Sequence, residues 1–223
     1  MDITIPNNVT TIGEGAFSGC TILTSVSIGS GLSTLEKNVF SNCTSLQSIA
    51  IPDNITSIGE SAFSDCSGLT SVTIPNSVTN IGNYAFSNCG NIASVAIPQC
   101  VCANRLSSVF PSYQSITDIV ISDGVTSIGD YAFKDCSALA SVTIPNGVTS
   151  IGYEAFCNCI GLTSLTIPSS VTSIGSRAFE GCTGLTDVTF QGKRTYAVSI
   201  IEHYAWNLPR GCSVHCSDGT ITI

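Results

Sequence analysis

One phrase recurs along this chain at a fixed interval, and the interval constrains the fold more than any other property of the sequence. From Val125 to Gly147 the chain reads Val-Thr-Ser-Ile-Gly-Asp-Tyr-Ala-Phe-Lys-Asp-Cys-Ser-Ala-Leu-Ala-Ser-Val-Thr-Ile-Pro-Asn-Gly. The phrase restarts at Val148 and at Val171, 23 residues on each time, and upstream it opens at Val9, Leu32, Ile55 and Val78. A period in the range of about 20–50 residues marks stacked coils, none of which can bury its apolar face alone. The period therefore predicts a single elongated domain rather than one or two globules.

Inside a coil the apolar residues sort by spacing. In Leu69 to Ile74, Val72 and Ile74 alternate with Ser71 and Thr73, the period-2 pattern of a strand with one buried face. Pro75 ends that strand, because proline offers no N–H to a ladder. Proline recurs there at Pro52, Pro98, Pro145 and Pro168. Val78 to Gly82 reads as a short extended segment closed by a glycine turn. Asn83 to Cys89 has room for about one helical turn, with Ala85, Phe86 and Cys89 facing inward.

Two places break the phrase. Residues 101–124 form a 24-residue coil in which Phe110 comes one place late and Tyr113 stands where cysteine is expected. After Gly192 the pattern stops. Thr195 is an N-cap candidate for a short helix carrying Val198, Ile201 and Ala205, and Trp206 to Gly211 reads as a loop. Ser213 to Ile223 reads as a hairpin on an Asp218-Gly219 turn. The expected division is a solenoid over 1–192 and a C-terminal cap over 193–223. Ile3, Ile5 and Pro6 match Val142, Ile144 and Pro145, so the first residues enter in mid-coil. That start reads as a fragment or as a ragged first coil, with an uncapped strand edge able to pair end to end with another copy.

Composition excludes several partners. The chain is 43% hydrophobic and 10% charged, with seven Lys and Arg against fifteen Asp and Glu and a formal net charge of −8. Nucleic-acid binding needs clustered cations, so it is not expected; an anionic membrane surface is excluded on the same ground. No run approaches the roughly 18 apolar residues that span a bilayer. The opening Met1-Asp2-Ile3-Thr4-Ile5-Pro6 has neither a basic nor an apolar leader region, so no signal peptide is read there.

The phrase I-P-x-x-V-T-x-I-G-x-x-A-F-x-x-C-x-x-L-x-S-V resembles the BspA-like, Treponema pallidum-type leucine-rich repeat over Val9 to about Gly192. The ending from Asp187 to Gly219 resembles the C-terminal caps of bacterial members. The resemblance implies a leucine-rich-repeat solenoid of about eight coils, with a parallel β-sheet on the concave face and short turns or one-turn helices on the convex face. A helix-and-hairpin cap would close it. It also implies a cell-surface or secreted setting, since several relatives bind extracellular-matrix proteins or other cells. It supplies no shared catalytic residues and no ligand motif.

Candidate constellations are few. Cys20, Cys43, Cys66, Cys89, Cys136, Cys159 and Cys182 occupy one repeat position and read as an unpaired internal column of small apolar side chains. Cys100 with Cys102, Cys157 with Cys159, and Cys212 with His215 and Cys216 lack the spacing of a structural zinc site. No metal or other cofactor is expected. His203 and His215 lie beyond the repeats, so no base sits beside a nucleophile and no enzyme is expected. Glu14, Glu60, Asp130 and Glu154 read as one solvated outer position.

The outward strand residues remain. Ser71, Thr73, Ser94, Ser141 and Thr143 belong to a small, hydroxyl-rich face that is either merely solvated or a shallow platform for protein or glycan. The irregular coil adds Arg105, Phe110 and Tyr113, with Asp118 and Val120 at the centre of the expected contact. Without aromatic or arginine anchors a regular coil binds weakly, and repetition would supply avidity. The expected function is a non-catalytic adhesion module for a host or microbial surface protein or glycan. The alternatives are a structural spacer or filament subunit and an ice-binding array.

Overall fold

The computed structural model describes residues 1–194, 197 and 207–223. They fall into two compact units, one made of residues 1–101 and 106–115, the other of residues 102–105 and 116–223. The expected short helix at Val198, Ile201 and Ala205, its Thr195 cap, His203 and Trp206 lie outside the described residues.

The first unit carries β1 (Asp2–Ile5), β2 (Ser25–Ile28), β3 (Thr34–Leu35), β4 (Ser48–Ala50), β5 (Ser57–Ile58), β6 (Ser71–Thr73), β7 (Asn80–Ile81) and β8 (Ser94–Ile97). β1, β2, β4, β6 and β8 pair in parallel, each residue with the one 23 places on, as in Ile3 with Val26 and Val72 with Val95. β3, β5 and β7 form a second, narrow parallel sheet. The irregular coil holds two four-residue helices, α1 (Gln99–Cys102) and α2 (Leu106–Val109), and a 3-10 turn at Tyr113–Ser115.

The second unit repeats the plan. β9 (Asp118–Ile121), β11 (Ser141–Thr143), β13 (Ser164–Ile167) and β15 (Asp187–Phe190) pair in parallel. Beside them β10 (Ser127–Ile128), β12 (Ser150–Ile151) and β14 (Ser173–Ile174) form the narrow sheet. β16 (Ser213–Cys216) continues the main ladder in parallel, and β17 (Gly219–Thr222) folds back on it as an antiparallel hairpin. Both units are parallel-sheet β-solenoids with few helices.

The local causes are visible in the repeat. On β6 Val72 is buried between exposed Ser71 and Thr73, and the proline that follows closes a turn: the Val78 N–H donates to the Pro75 carbonyl. The glycine after every narrow strand except β3, which Glu36 follows, permits close approach. A Cβ on Gly82 would stand 2.3 Å from the Glu60 nitrogen, and one on Gly175 would stand 2.4 Å from the Tyr153 nitrogen. No side chain fits there.

Where one helical turn had been expected, Asn83 to Cys89 is a pair of tight turns with Tyr84 at φ +61° and Asn88 at φ +57°. Both corners recur in every regular coil. One column in the left-handed region runs Gly15, Asn38, Ser61 and Tyr84 in the first unit and Tyr131, Glu154 and Arg177 in the second. The other runs Gly19, Asn42, Asp65 and Asn88, then Asp135, Asn158 and Gly181. This backbone aims alternate N–H groups at the next coil: Asn38, Phe40 and Asn42 donate to the carbonyls of Glu60, Ala62 and Ser64. The corners thus hold a third ladder without a strand.

Between the ladders lies a core of columns. In the first unit Phe17, Phe40, Phe63, Phe86 and Phe110 stack with centroids 4.8–5.5 Å apart. Phe110, expected to add surface in the irregular coil, is therefore buried. α2 takes up the extra residue, because a helix advances only about 1.5 Å per residue. The second unit stacks Phe133, Phe156 and Phe179. The first coil differs from the rest: Phe17 and Cys20 are half-buried and Ala16 is exposed, whereas Ala62, Phe63 and Cys66 are wholly buried.

Candidate functional site

The predicted residues gather in two sets. In the first unit Ser71 on β6 lies beside Ser94 on β8, and Thr73 beside Ala96. In the second, Asp118 lies beside Ser141 and Val120 beside Thr143, with Thr166 next in that row. Tyr113 is half-buried in the 3-10 turn and sits on no strand.

Asp118 is bound into the sheet, because the Ser141 hydroxyl donates to its Oδ1. Asp2 and Asp187 also lead their strands and are tied in the same way. Asp2 accepts from the Thr24 and Ser25 hydroxyls, chiefly Thr24, which hold its carboxyl below the usual range. Asp187 Oδ2 lies 3.3 Å from His215 Nε2, and His215 Nδ1 lies 3.1 Å from Thr220 Oγ1. That chain of contacts links β15, β16 and β17 laterally. Ser71, Thr73 and Thr143 have exposed hydroxyls that bond to no other described residue. Val120, 41% exposed, is an apolar break in the row. This chemistry suits shallow polar contacts at a strand spacing of about 4.8 Å.

All twelve cysteines are free. Column thiols donate to phenylalanine carbonyls of the preceding coil, Cys66 to Phe40 at 3.1 Å and Cys159 to Phe133 at 3.2 Å. Burial pushes the Cys89 thiol up to about 12 and raises Cys66 as well. The thiolate is the nucleophile and the metal ligand, so these thiols are held in an inert form. Among the described residues no group of three His, Cys, Asp or Glu side chains is placed to hold a metal ion. No described helix is long and apolar enough to cross a membrane.

The densest side-chain cluster went unread in the sequence. Glu154, expected on a solvated face, is buried with 7% exposure at φ +50°. In the chain Glu154 follows Gly152-Tyr153, so Tyr153 holds the position of Asp130 and Glu154 takes the corner position of Tyr131 and Arg177. Lys134 bonds Glu154 Oε2, and Arg177 Nη1 approaches Oε1 at 3.9 Å. Hydrogen bonds from Lys134 and then from the Tyr153 hydroxyl hold the Glu154 carboxyl below its ordinary range. Arg105 lies over the Tyr131 ring, 4.4 Å from its centroid, Lys134 lies over it at 5.4 Å, and Tyr153 meets it edge-on at 5.3 Å. The signal available in the sequence was three of the seven basic residues recurring at corner-side positions of one half.

The chain matches the family model described as "BspA type Leucine rich repeat region (6 copies)" over residues 1–103 and 105–208. No curated protein matches it. Among solved structures it is similar to a leucine-rich repeat protein from Bacteroides ovatus, at 22% identity and a TM-score of 0.42, covering 96% of this chain and 83% of that one. It is similar to a leucine-rich cell surface protein from Faecalibacterium prausnitzii at 23% identity and a TM-score of 0.41, covering 98% and 79%. A leucine-rich repeat protein from Treponema pallidum matches at 22% identity and a TM-score of 0.33, covering 92% and 83%. At these values the likeness bears on neither ligand nor site.

Proposed function

This chain belongs to the BspA-type leucine-rich repeat family, and from that premise we propose that it is a non-catalytic binding module of a microbial cell surface. Its ligand is a surface protein or glycan held by many weak polar contacts on the strand faces. The observation that carries this reading is the hydroxyls on each unit's own strand face: Ser71 and Thr73 in the first unit and Thr143 in the second are exposed and bond to no other described residue, so each unit presents donors and acceptors from its strands. On the second unit's face Asp118, Ser141 and Val120 join Thr143, on the first unit's face Ser94 joins Ser71 and Thr73, and Tyr113, off the strands, is a further contact of the first unit.

The test is a binding screen of the whole chain against matrix proteins and glycans, repeated with Val120→Arg and Thr143→Arg. Binding weakened at least about tenfold by either variant (about 1.4 kcal/mol) is the expected result. A ligand that binds all three chains equally removes the strand face from the reading. A screen with no ligand leaves the chain a spacer.

A further inference from the structure

The turns that follow the main strands repeat one backbone and differ in what they carry. After β11 the Val148 N–H donates to the Pro145 carbonyl at 3.1 Å, which places Asn146 and Gly147 at the two central positions of the turn. Such a turn leaves its central peptide out of the closing bond. Here neither the Gly147 N–H nor the Asn146 side chain bonds to any other described residue, and both residues are exposed. We propose that Asn146 is a site of spontaneous modification, where attack by the Gly147 nitrogen releases the side-chain amide and leaves aspartate or isoaspartate. The site is independent of the binding-module reading.

The chemistry needs only water. Hydroxide takes the Gly147 amide proton, and the nitrogen forms a bond to Asn146 Cγ. The bond from Cγ to the side-chain nitrogen then breaks, and that nitrogen leaves as ammonia with a proton returned from water. The five-membered imide that remains takes up one water molecule. Opening at Cγ gives aspartate, and opening at the backbone carbonyl gives isoaspartate, with the chain rerouted through Cβ and Cγ. Either product carries a carboxylate where the amide stood, one further negative charge on a chain of −8.

Three observations select this place. First, Asn146-Gly147 is the one Asn-Gly pair in the chain. Glycine has no Cβ to hinder its own nitrogen and rotates most freely, whereas Asn8, Asn54 and Asn91 precede valine or isoleucine, which are bulky and stiff at Cβ. Second, side chains at the matching turns of other coils are engaged. Asn7 Oδ1 accepts from the Ser30 N–H, and Asn54 Nδ2 donates to the Gly29 and Leu32 carbonyls. Third, the turns Asp123-Gly124 and Asp218-Gly219 carry carboxylates, which are poorer leaving groups than an amide, and Asp218 accepts from the Arg194 N–H. Isoaspartate adds an atom to the backbone of a turn whose next residue, Val148, is wholly buried. That product disturbs the coil, and aspartate does not.

The test is incubation of the whole folded chain in mildly alkaline buffer, followed by peptide mapping for amide-to-acid exchange and by enzymatic methylation of isoaspartate. The peptide holding Asn146 should convert first, at least about tenfold faster than any other asparagine peptide, and more slowly in mildly acidic buffer as hydroxide falls. Gly147→Ser should slow conversion at least about tenfold, and Asn146→Ser should remove the isoaspartate signal. Both variants should fold, since Ser169 and Ser170 hold these two positions in the next coil. The chain unfolded in guanidinium chloride is the reference, and folding should slow Asn146 by no more than about tenfold, as an exposed turn opens locally at little cost. The proposal is overturned by an Asn146 amide that outlasts those of other asparagines, by protection on folding greater than that, or by equal rates for the parent and Gly147→Ser.

Discussion

The corner of the first unit and the corner of the second share a backbone and differ in nearly everything else. Asn38, Ser61 and Tyr84 have φ of 54–61°, and Tyr131, Glu154 and Arg177 have φ of 50–60°. Ser61 donates to the Asn83 carbonyl at 3.2 Å, and Glu154 donates to that of Ser176 at 3.1 Å. One corner carries an amide, a hydroxyl and a lone phenol, while the other carries an ion-pair network under an arginine. The corner residue therefore does not make the corner. The small apolar residue and the phenylalanine after it (Val39 and Phe40, Ala62 and Phe63, Ala155 and Phe156) and the cysteine that closes the coil accompany the shape in both units, and the left-handed residue is left to vary.

The strongest way to break that equivalence is to load the shared frame. Gly82→Ala and Gly175→Ala should each destabilise by about 3 kcal/mol or more, because the new Cβ meets backbone rather than a flexible side chain. Gly13→Ala, with nothing within 4 Å of its Cβ, should stay within about 0.5 kcal/mol. Urea midpoints for the three variants decide it, and a tolerated Gly175→Ala would mean the two frames differ. A smaller load is the cysteine column. Cys66→Ala and Cys159→Ala should each cost about 2 kcal/mol, a cavity plus a lost S–H donor, and the two values should agree between units.

Relief of the corner itself is smaller still and opposite in sign. Ser61→Gly should stabilise by about 1 kcal/mol, since glycine adopts φ near +54° without a Cβ clash. Tyr131→Gly should show no such gain, because the ring contacts to Arg105, Lys134 and Tyr153 go with the side chain. The smallest effect is acid dependence. Glu154 has its folded pKa below the ordinary glutamate value, so its contribution is complete above that value and is lost as pH falls through the folded one. The stability difference between the parent and Glu154→Gln should shrink as pH falls from about 6 to about 3. A difference that stays constant would show that the carboxylate does not titrate with its partners.

The fold was legible because a repeat writes its core several times over. Val72 and Ile74, Pro75, Gly82 and Phe86 each appear in copies whose spacing overrides any local ambiguity. The corners were not legible, since a position occupied by Gly, Asn, Ser, Tyr, Glu and Arg has no composition to read. The network was hidden for a second reason. Lys134 and Glu154 are 20 residues apart rather than 23, so they meet on a diagonal between columns, and reading down columns passes over them. Glu154 also stands one residue past the register of Glu14, Glu60 and Asp130, and that single step exchanges a solvated acid for a buried one. Ser71, Thr73, Asp118, Ser141 and Thr143 lie on strands, as the alternation implies, but the Ser141 bond that engages Asp118 depends on rotamers, which periodicity does not encode.

The parallel bonds from each residue to its neighbour 23 places on have a mechanical consequence. Within either unit a coil is fastened only to the coils on either side of it. Tension along a stack is therefore carried by every ladder in series, and a coil with a neighbour on one side only is the first to part. When its ladder parts, one coil peels away and releases 23 residues, on the order of 80 Å of extended chain at about 3.5 Å per residue. The next ladder then takes the same load with the same bonds. Such a chain yields under pull in near-equal lengths, as a ratcheted tether, and can lengthen several times over while its remaining coils stay folded.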